Sequence, residues 1–252
     1  MVHLAPLPGS PRWDAASGVE GVVARALLDA RALVAGGCDA LLVENMGDVP
    51  YLRGRVEPET VAAAAIATRE VALAAAPRPV GVQLLAGANR EALGVALAAG
   101  ARFVRCEAFA YAHVADEGWL DACAGELLRV RRALGAEVEV WADVQKKHAA
   151  HAVTADLTLE AIARGTAFCG ADALVVTGAE TGAATDPAHV RAARAAGLPV
   201  VVGSGVTPQD ARALGLEAQA LIVGSWLKAG GDWRAPVDVE RVRALRRALD
   251  GA

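Results

Sequence analysis

Short apolar runs alternate along the whole chain with longer segments in which apolar residues recur every three or four positions. The short runs are rich in valine and leucine, as in β-strands, and the longer segments have the spacing of amphipathic helices. The pattern predicts eight strands, at Val2–Leu4, Ala40–Glu44, Pro79–Leu85, Phe103–Glu107, Val138–Val144, Ala173–Thr177, Pro199–Gly203 and Ala220–Gly224. It predicts eight helices in strict alternation with them, at Gly18–Ala35, Pro58–Ala75, Arg90–Ala98, Leu120–Leu134, Leu157–Phe168, Pro187–Ala195, Pro208–Leu214 and Val239–Leu249.

The predicted strands are apolar along most of their length, which is typical of a parallel sheet buried on both faces. Each helix supplies the crossover connection that two parallel strands require. An open doubly wound sheet shows the same alternation, but eight similar units without a long linker favour closure into a barrel. We therefore expect an α/β fold that consists of a single (βα)8 TIM barrel over residues 1–252.

The composition agrees with this fold and limits the partners. The chain has 252 residues, close to the ~250 of one such barrel. Hydrophobic residues make up 54% of the chain, which is enough for a large core. The formal net charge of -4 argues against nucleic acid as a partner, because phosphate backbones favour a basic face.

The four cysteines are scattered and form no CxxC pair, so neither a disulfide framework nor a zinc site is expected. A reducing, cytoplasmic compartment follows from this cysteine usage. The first residues lack a basic flank and contain two prolines, so no targeting segment is expected. Apolar stretches such as 61–67 are too short to span a bilayer, so membrane insertion is not expected. The sequence leaves open whether the chain forms a homo-oligomer.

Two glycine-containing loops on neighbouring strand ends predict an anion-binding site. The seventh strand is followed by Gly203, Ser204 and Gly205, and the eighth ends at Gly224 before Ser225. Glycines let the backbone approach a ligand with its N–H groups, and the loops after these two strands often hold a phosphate in this fold. Ordinary tight turns are the alternative. After the sixth strand, Thr177 and Gly178 provide a further candidate donor group, whereas Thr181 and Gly182 fit a flexible connection equally well.

The second and fourth strands end in charged residues on the face where such barrels carry their chemistry. Glu44 closes the second strand, and is interpreted as a base, a sugar-hydroxyl acceptor, a metal ligand or a structural carboxylate. Arg105 and Glu107 point to the same face of the fourth strand, because side chains alternate. They form either an interior ion pair or a catalytic carboxylate tuned by a cation. The next acidic residues, Asp116 and Glu117, are interpreted as caps of the following helix.

The fifth strand ends in the densest group of reactive side chains in the chain, Asp143 followed by Lys147 and His148. Asp143 with either neighbour provides an acid–base pair, whereas a solvated basic loop is the alternative for the lysines. If a metal is present, Glu44, Glu107 and Asp143 are the candidate ligands, and hard oxygen ligands suit Mg or Mn. No cofactor is predicted with certainty.

Several long motifs resemble the BtpA/SgcQ family, and the resemblance runs from Val2 to about Arg241. These motifs are VHLAPLPGSPR, LLVENMGDVPY, VQLLAGANREAL, FVRCEAFAYAHVADEG, ADVQKKHAAH, VVTGAETGAATD and VVGSGVTP. The resemblance implies a ribulose-phosphate-binding type of barrel. One family member is associated by name with photosystem I biogenesis, and others are labelled as nucleosidases or sugar-operon proteins. Its motifs contain the substrate-binding candidates Asn45, Gln83 and Arg105.

Two functions follow as hypotheses. The first is an enzyme that acts on a phosphorylated sugar or nucleoside-like small molecule, with phosphate on the loops of Gly203 and Gly224. Cleavage of a glycosidic C–N bond would use Asp143 or Glu44 as the carboxylate, and isomerisation would pair Asp143 with Lys147 or His148. The second is a non-catalytic assembly or regulatory factor of the photosystem I biogenesis type, since a fold does not determine a function.

Overall fold

A computed structural model describes residues 1–178 and 185–251, so Thr181 and Gly182 lie outside the described residues. Its strands are β1 Val2–His3, β2 Leu41–Glu44, β3 Val80–Gln83, β4 Phe103–Cys106, β5 His113–Ala115, β6 Gly118–Leu120, β7 Glu139–Asp143, β8 Ala149–Ala150, β9 Ala173–Val176, β10 Val200–Val202 and β11 Ala220–Leu221. Its α-helices are α1 Gly18–Gly36, α2 Pro58–Ala75, α3 Asn89–Ala99, α4 Ala124–Ala133, α5 Leu159–Phe168, α6 Pro187–Arg194, α7 Pro208–Glu217 and α8 Val239–Asp250.

Eight of these strands form one parallel sheet in the order β1-β2-β3-β4-β7-β9-β10-β11, and each is followed by a helix. The loop after β11 returns to β1, since a Cβ built on Gly224 would lie 3.3 Å from Nε2 of His3. The predicted (βα)8 barrel is confirmed. The strands are shorter than predicted by one to three residues, although residues just beyond them, such as Leu4 and Gly203, still donate backbone hydrogen bonds to the neighbouring strand.

Side chains on the eight barrel strands alternate between two apolar clusters. Residues at every second position, such as Val43 and Val104, belong to the large cluster that includes the inner faces of the helices. Their neighbours fill the barrel interior, where the rings of Phe103 and Trp141 stack with centroids 3.8 Å apart. Gly81 makes room for this stack, because a Cβ there would lie 2.1 Å from the Phe103 ring. These aromatic residues belong to an apolar layer of the barrel interior, called the floor below, that precedes Arg105 and Asp143 along β4 and β7.

A small antiparallel sheet, β6-β5-β8, lies outside the barrel order and was not predicted. It joins the loop after β4 to the loop after β7 through the pairs Val114 with Ala150 and Ala115 with Ala149. The expectation that the fourth helix begins at Leu120 is wrong, because Leu120 lies in β6 and α4 begins at Ala124. The expected capping role of Asp116 and Glu117 is wrong for the same reason, since both residues lie in the turn between β5 and β6.

Among the described residues, no helix combines the length and the apolar character that crossing a membrane would require.

Candidate functional site

A cavity of about 360 Å³ opens at the carboxyl ends of the barrel strands. Its walls include the inward-facing residues that follow the floor positions on β2, β3 and β4, together with the loops after β7, β10 and β11. The strand alternation therefore delivers polar side chains to this end of the barrel and apolar ones to its floor. The acidic, amide and basic side chains that line its inner wall come from Glu44, Gln83, Arg105, Glu107, Lys146 and Lys147.

Arg105 forms a buried, two-point ion pair with Asp143. Its Nε donates to Oδ1 of Asp143 at 3.1 Å and its Nη2 donates to Oδ2 at 3.3 Å. Its Nη1 also donates to the carbonyl of Gly203 at 3.3 Å, which links the ion pair to the loop after β10. Arg105 lines the cavity, but Asp143 does not, so Asp143 lies behind the guanidinium. The predicted ion pair of Arg105 with Glu107 is replaced by this one.

Glu107 belongs to a second buried cluster with Lys146 and Glu117. Nζ of Lys146 lies 3.4 Å from a Glu107 oxygen and donates to Glu117 at 2.8 Å. Gln83 donates from Nε2 to the other Glu107 oxygen at 3.5 Å. Burial raises the pKa of Glu107 to about 7, against the lowering effect of Lys146. This carboxyl group can therefore both release and accept a proton near neutral pH.

Glu44 lies beside His3, with 3.7 Å between an oxygen of Glu44 and Nε2 of the imidazole. Burial lowers the pKa of His3 to about 3, so its ring is neutral near pH 7. Nδ1 of His3 lies 3.2 Å from the Trp233 carbonyl, which makes it the protonated nitrogen. Burial also raises the pKa of Glu44, against the lowering effect of Lys147 and Arg105.

Lys147 and His148 follow β7 and both line the cavity. Lys147 makes no hydrogen bond or ion pair with residues 1–178 or 185–251, although Glu44, Asp143 and Glu107 act on it electrostatically. Burial and the Arg105 guanidinium lower the pKa of Lys147. His148 is exposed. The predicted pairing of Asp143 with Lys147 or His148 gives way to the pairing of Asp143 with Arg105.

The loops after β10 and β11 form a further part of the cavity wall. In the described part of the chain, the backbone N–H groups of Gly205, Val206, Gly224 and Ser225 donate no hydrogen bond. The hydroxyl of Ser204 is buried and has no partner there either. The helix α7 begins at Pro208, directly after the wall residue Thr207, and its N-terminus carries the positive end of the helix dipole. Donors without acceptors beside a helix N-terminus are suited to an anion.

Two substrate-binding candidates use their polar side-chain atoms in hydrogen bonds outside the cavity. Asn45 is fully buried, accepts from the Leu85 N–H at 2.7 Å and donates to Asp48 at 2.9 Å, so its amide organises the loop after β2. The Thr177 hydroxyl donates to the Gln145 carbonyl at 3.3 Å. Among the described residues that line the cavity, Asn45, Thr177 and Gly178 do not occur.

The three carboxylates considered as metal ligands have separate environments. Glu107 and Asp143 each face a buried cation, whereas Glu44 lies beside a neutral histidine. Within the described ranges, no group of three or more His, Cys, Asp or Glu side chains is placed to hold a metal ion. The structure therefore does not bring these three residues together as a ligand set for magnesium or manganese.

Sequence reasoning missed His3, Lys146 and Glu117 as parts of the cavity wall. His3 could have been found, because it pairs in register with Glu44 at the carboxyl end of β1 and alternation turns it inward. Lys146 belongs to a pair of lysines whose pattern is also that of a solvated loop. Its burial depends on Glu117, which the small sheet brings across from a distant part of the chain.

Comparison with known proteins matches the chain to one family. The profile of the BtpA family matches residues 1–251. An uncharacterized protein of Caenorhabditis elegans, described as mitochondrial, is 39% identical over 99% of this chain and 91% of its own length. The photosystem I biogenesis protein BtpA of a Synechocystis species is 36% identical over 99% of this chain and 86% of its own length.

Solved structures of low sequence identity share the fold. Thiamine phosphate pyrophosphorylase from Pyrococcus furiosus has a TM-score of 0.60 at 14% identity, with 89% of each chain covered. Phosphoribosyl anthranilate isomerase from Thermus thermophilus has a TM-score of 0.56 at 21% identity, with 89% of this chain and 94% of the other covered. At these identities the similarity establishes the barrel fold alone.

Proposed function

This chain belongs to the BtpA family, and on that premise we propose that it is an enzyme acting on a small phosphorylated sugar or nucleoside-like molecule. One observation carries the proposal: a single cavity is lined both by buried carboxyl groups and by N–H and hydroxyl donors that have no acceptor among the described residues. The two proteins of known structure described above act, by their names, on phosphate-bearing compounds. Their likeness supports the fold as a scaffold suited to such substrates.

In this proposal the phosphate is bound by the loops after β10 and β11. The N–H groups of Gly205 and Ser225 and the hydroxyl of Ser204 donate to its oxygens, and the α7 dipole favours its charge. Arg105 lines the same cavity and contributes a fixed positive charge. These groups are held in place before a ligand arrives, so binding requires little ordering of the protein.

The proton-transfer groups in this proposal are Glu107 and Glu44. Glu107 has a pKa of about 7 and can act as an acid or a base, which both isomerisation and glycosidic cleavage require. Asp143, the strongest candidate from the sequence, is instead assigned to hold Arg105, because it lies outside the cavity wall and both its oxygens face the guanidinium.

Calorimetric titration with inorganic phosphate and with ribose 5-phosphate tests the proposal, with unphosphorylated ribose as the reference ligand. We expect both phosphates to bind and ribose alone to bind far more weakly. Ser204→Ala removes one donor to an anion, which is worth about 1.5 kcal/mol or more and therefore weakens phosphate binding about tenfold. Ser17→Ala, at an exposed serine outside the cavity, is the matched control. Equal affinities for the two variants would contradict the proposed phosphate site.

A second function, an assembly factor, is favoured by the name of the Synechocystis relative. We rank it below the enzyme because relatives of similar identity occur in a nematode and in archaea. The two functions differ in their need for the cavity. The test asks whether the chain can replace the relative in Synechocystis. If the chain is an enzyme, the double variant Glu107→Gln, Ser204→Ala should no longer replace the relative. Retention of the full effect by this double variant would favour the assembly role.

A further inference from the structure

The chain contains very few lysines, and all of them lie in or near the barrel. Of its 25 lysine and arginine residues, three are lysines: Lys146, Lys147 and Lys228. Every other basic position is arginine, including those at exposed ion pairs such as that of Arg164 with Glu160. Arginine and lysine differ chemically, because the guanidinium stays charged while an amine can lose its proton and act as a nucleophile. The three lysines therefore mark the positions where the chemistry of an amine, and not of a guanidinium, is present.

Two of the three lysines have partners that hold them as cations. Lys228 is fully buried and pairs with the carboxylate of Asp29. Lys146 is held between Glu107 and Glu117, which raise its pKa. Both amines are committed to ion pairs, so neither is available to a ligand.

Lys147 differs from both. Lys147 lines the cavity, and its amine has no hydrogen bond or ion pair within residues 1–178 and 185–251. It shares the cavity with Glu107, a carboxyl group able to exchange a proton near neutral pH, and with the donors around Ser204 and Gly205 that have no acceptor in the described part of the chain. Burial and the Arg105 guanidinium lower its pKa, which increases the fraction present as the neutral amine.

We propose that Lys147 is a covalent catalyst that forms an imine with the carbonyl carbon of a phosphorylated aldehyde or ketone. The inference rests on the proposed function, since the phosphate of that substrate would occupy the loops after β10 and β11. It narrows the substrate class to phosphorylated carbonyl compounds, including the open-chain forms of sugar phosphates.

The reaction balances with the groups that line the cavity. The neutral amine of Lys147 adds to the carbonyl carbon, a C–N bond forms, and the carbonyl oxygen becomes a hydroxyl after proton transfer from the nitrogen. Protonated Glu107 then donates its proton to this hydroxyl, the C–O bond breaks, and water leaves. A protonated imine and the Glu107 carboxylate remain. The positive imine draws electrons from the adjacent carbon, so a C–H or C–C bond there is weakened.

Reductive trapping tests the imine directly. The protein is incubated at neutral pH with pyridoxal 5′-phosphate, an aldehyde that carries a phosphate, then reduced with borohydride and mapped by peptide mass spectrometry. We expect the reduced adduct at Lys147 and not at Lys146 or Lys228. Unphosphorylated pyridoxal should react about tenfold more slowly, because it lacks the charge-assisted hydrogen bonds of the phosphate. Added inorganic phosphate should slow the reaction of the phosphorylated probe.

Lys147→Arg is the matched variant, because it keeps the charge and cannot form an imine. It should fold with an unchanged melting temperature, bind inorganic phosphate as the original chain does, and give no adduct. An adduct at another amine, or equal rates for the two probes, would overturn the inference. If phosphate binding depends on Ser204 while Lys147 stays unlabelled, the imine proposal fails and the proposed function stands. If the protein neither binds phosphate nor is labelled at Lys147, both proposals fail.

Discussion

At the residue scale, the polar atoms of the cavity are divided between groups that are fully paired and groups that are not. Arg105 and Asp143 satisfy each other, and Asn45 satisfies the loop around it. The Ser204 hydroxyl and the Lys147 amine have no hydrogen-bond or ion-pair partner among the described residues. The sequence indicated that all of these lie near strand ends, but it could not separate the paired from the unpaired. That distinction depends on distances between strands far apart in the chain.

Asp143→Asn should lower the free energy of unfolding, because it leaves the buried Arg105 guanidinium without its charge partner. Both side chains are almost inaccessible, at 4% and 2% exposure. Breaking such a pair costs about 3–5 kcal/mol, and urea unfolding measures the loss. Glu160→Gln, which breaks the exposed pair with Arg164, is the control and should change stability by less than about 0.5 kcal/mol. Asp143→Asn with unaltered stability would contradict the assignment of Asp143 as the anchor of Arg105.

Glu107 should make the stability of the protein fall between pH 4.5 and about 7. Its pKa rises from 4.5 in the unfolded chain to about 7 in the fold because of burial. In this interval the folded state binds more protons than the unfolded state, so increasing pH favours unfolding, by on the order of 3 kcal/mol in total. Glu107→Gln removes this contribution. Denaturant unfolding of both proteins from pH 4.5 to pH 8 measures it, and parallel curves would exclude the raised pKa.

At the element scale, the regular alternation predicted the barrel strands and helices but not the small sheet β6-β5-β8. The residues of β5 and β6 carry no clear period of two, and the polar sequence around Asp116 and Glu117 is equally typical of a helix start. The pairing of β5 with β8 joins Val114 to Ala150, and such long-range pairs leave no local signal. The element that carries Glu117 to the cavity was therefore unpredictable from local patterns.

Glu117→Gln should loosen the small sheet without unfolding the barrel. Lys146 loses a buried bond of 2.8 Å but keeps Glu107, so we expect a loss of about 1–2 kcal/mol. Hydrogen exchange should become faster in residues 113–120 and remain unchanged in α1 and α2. Glu126→Gln, at an exposed residue on α4 beside Arg90, is the control and should leave exchange in the small sheet unaffected. Unaltered exchange in residues 113–120 would show that the ion pair does not hold the sheet.

At the scale of the whole molecule, the barrel depends on contacts between segments from opposite ends of the chain. Lys228, after β11, pairs with Asp29 on α1, and the other Asp29 oxygen accepts from the Val237 N–H at 2.8 Å. The alternating pattern predicted that β1 and β11 come together, because eight parallel units close on themselves. It gave no reason to pair these two charged residues, since a buried ion pair has no periodicity.

The ion pair of Lys228 with Asp29 provides a test of how the barrel closes. Lys228→Met leaves the Asp29 carboxylate buried without its cation, which should lower the free energy of unfolding by about 3–5 kcal/mol. Asp29→Asn in the same chain removes the unpaired charge and keeps an acceptor for the Val237 N–H. The double variant should therefore regain much of the loss, and urea unfolding of the single and double variants measures the coupling. Additive losses would mean that the two side chains act independently, and closure would then depend on other contacts between the chain ends, such as the hydrogen bond from the Met1 amine to the Val223 carbonyl.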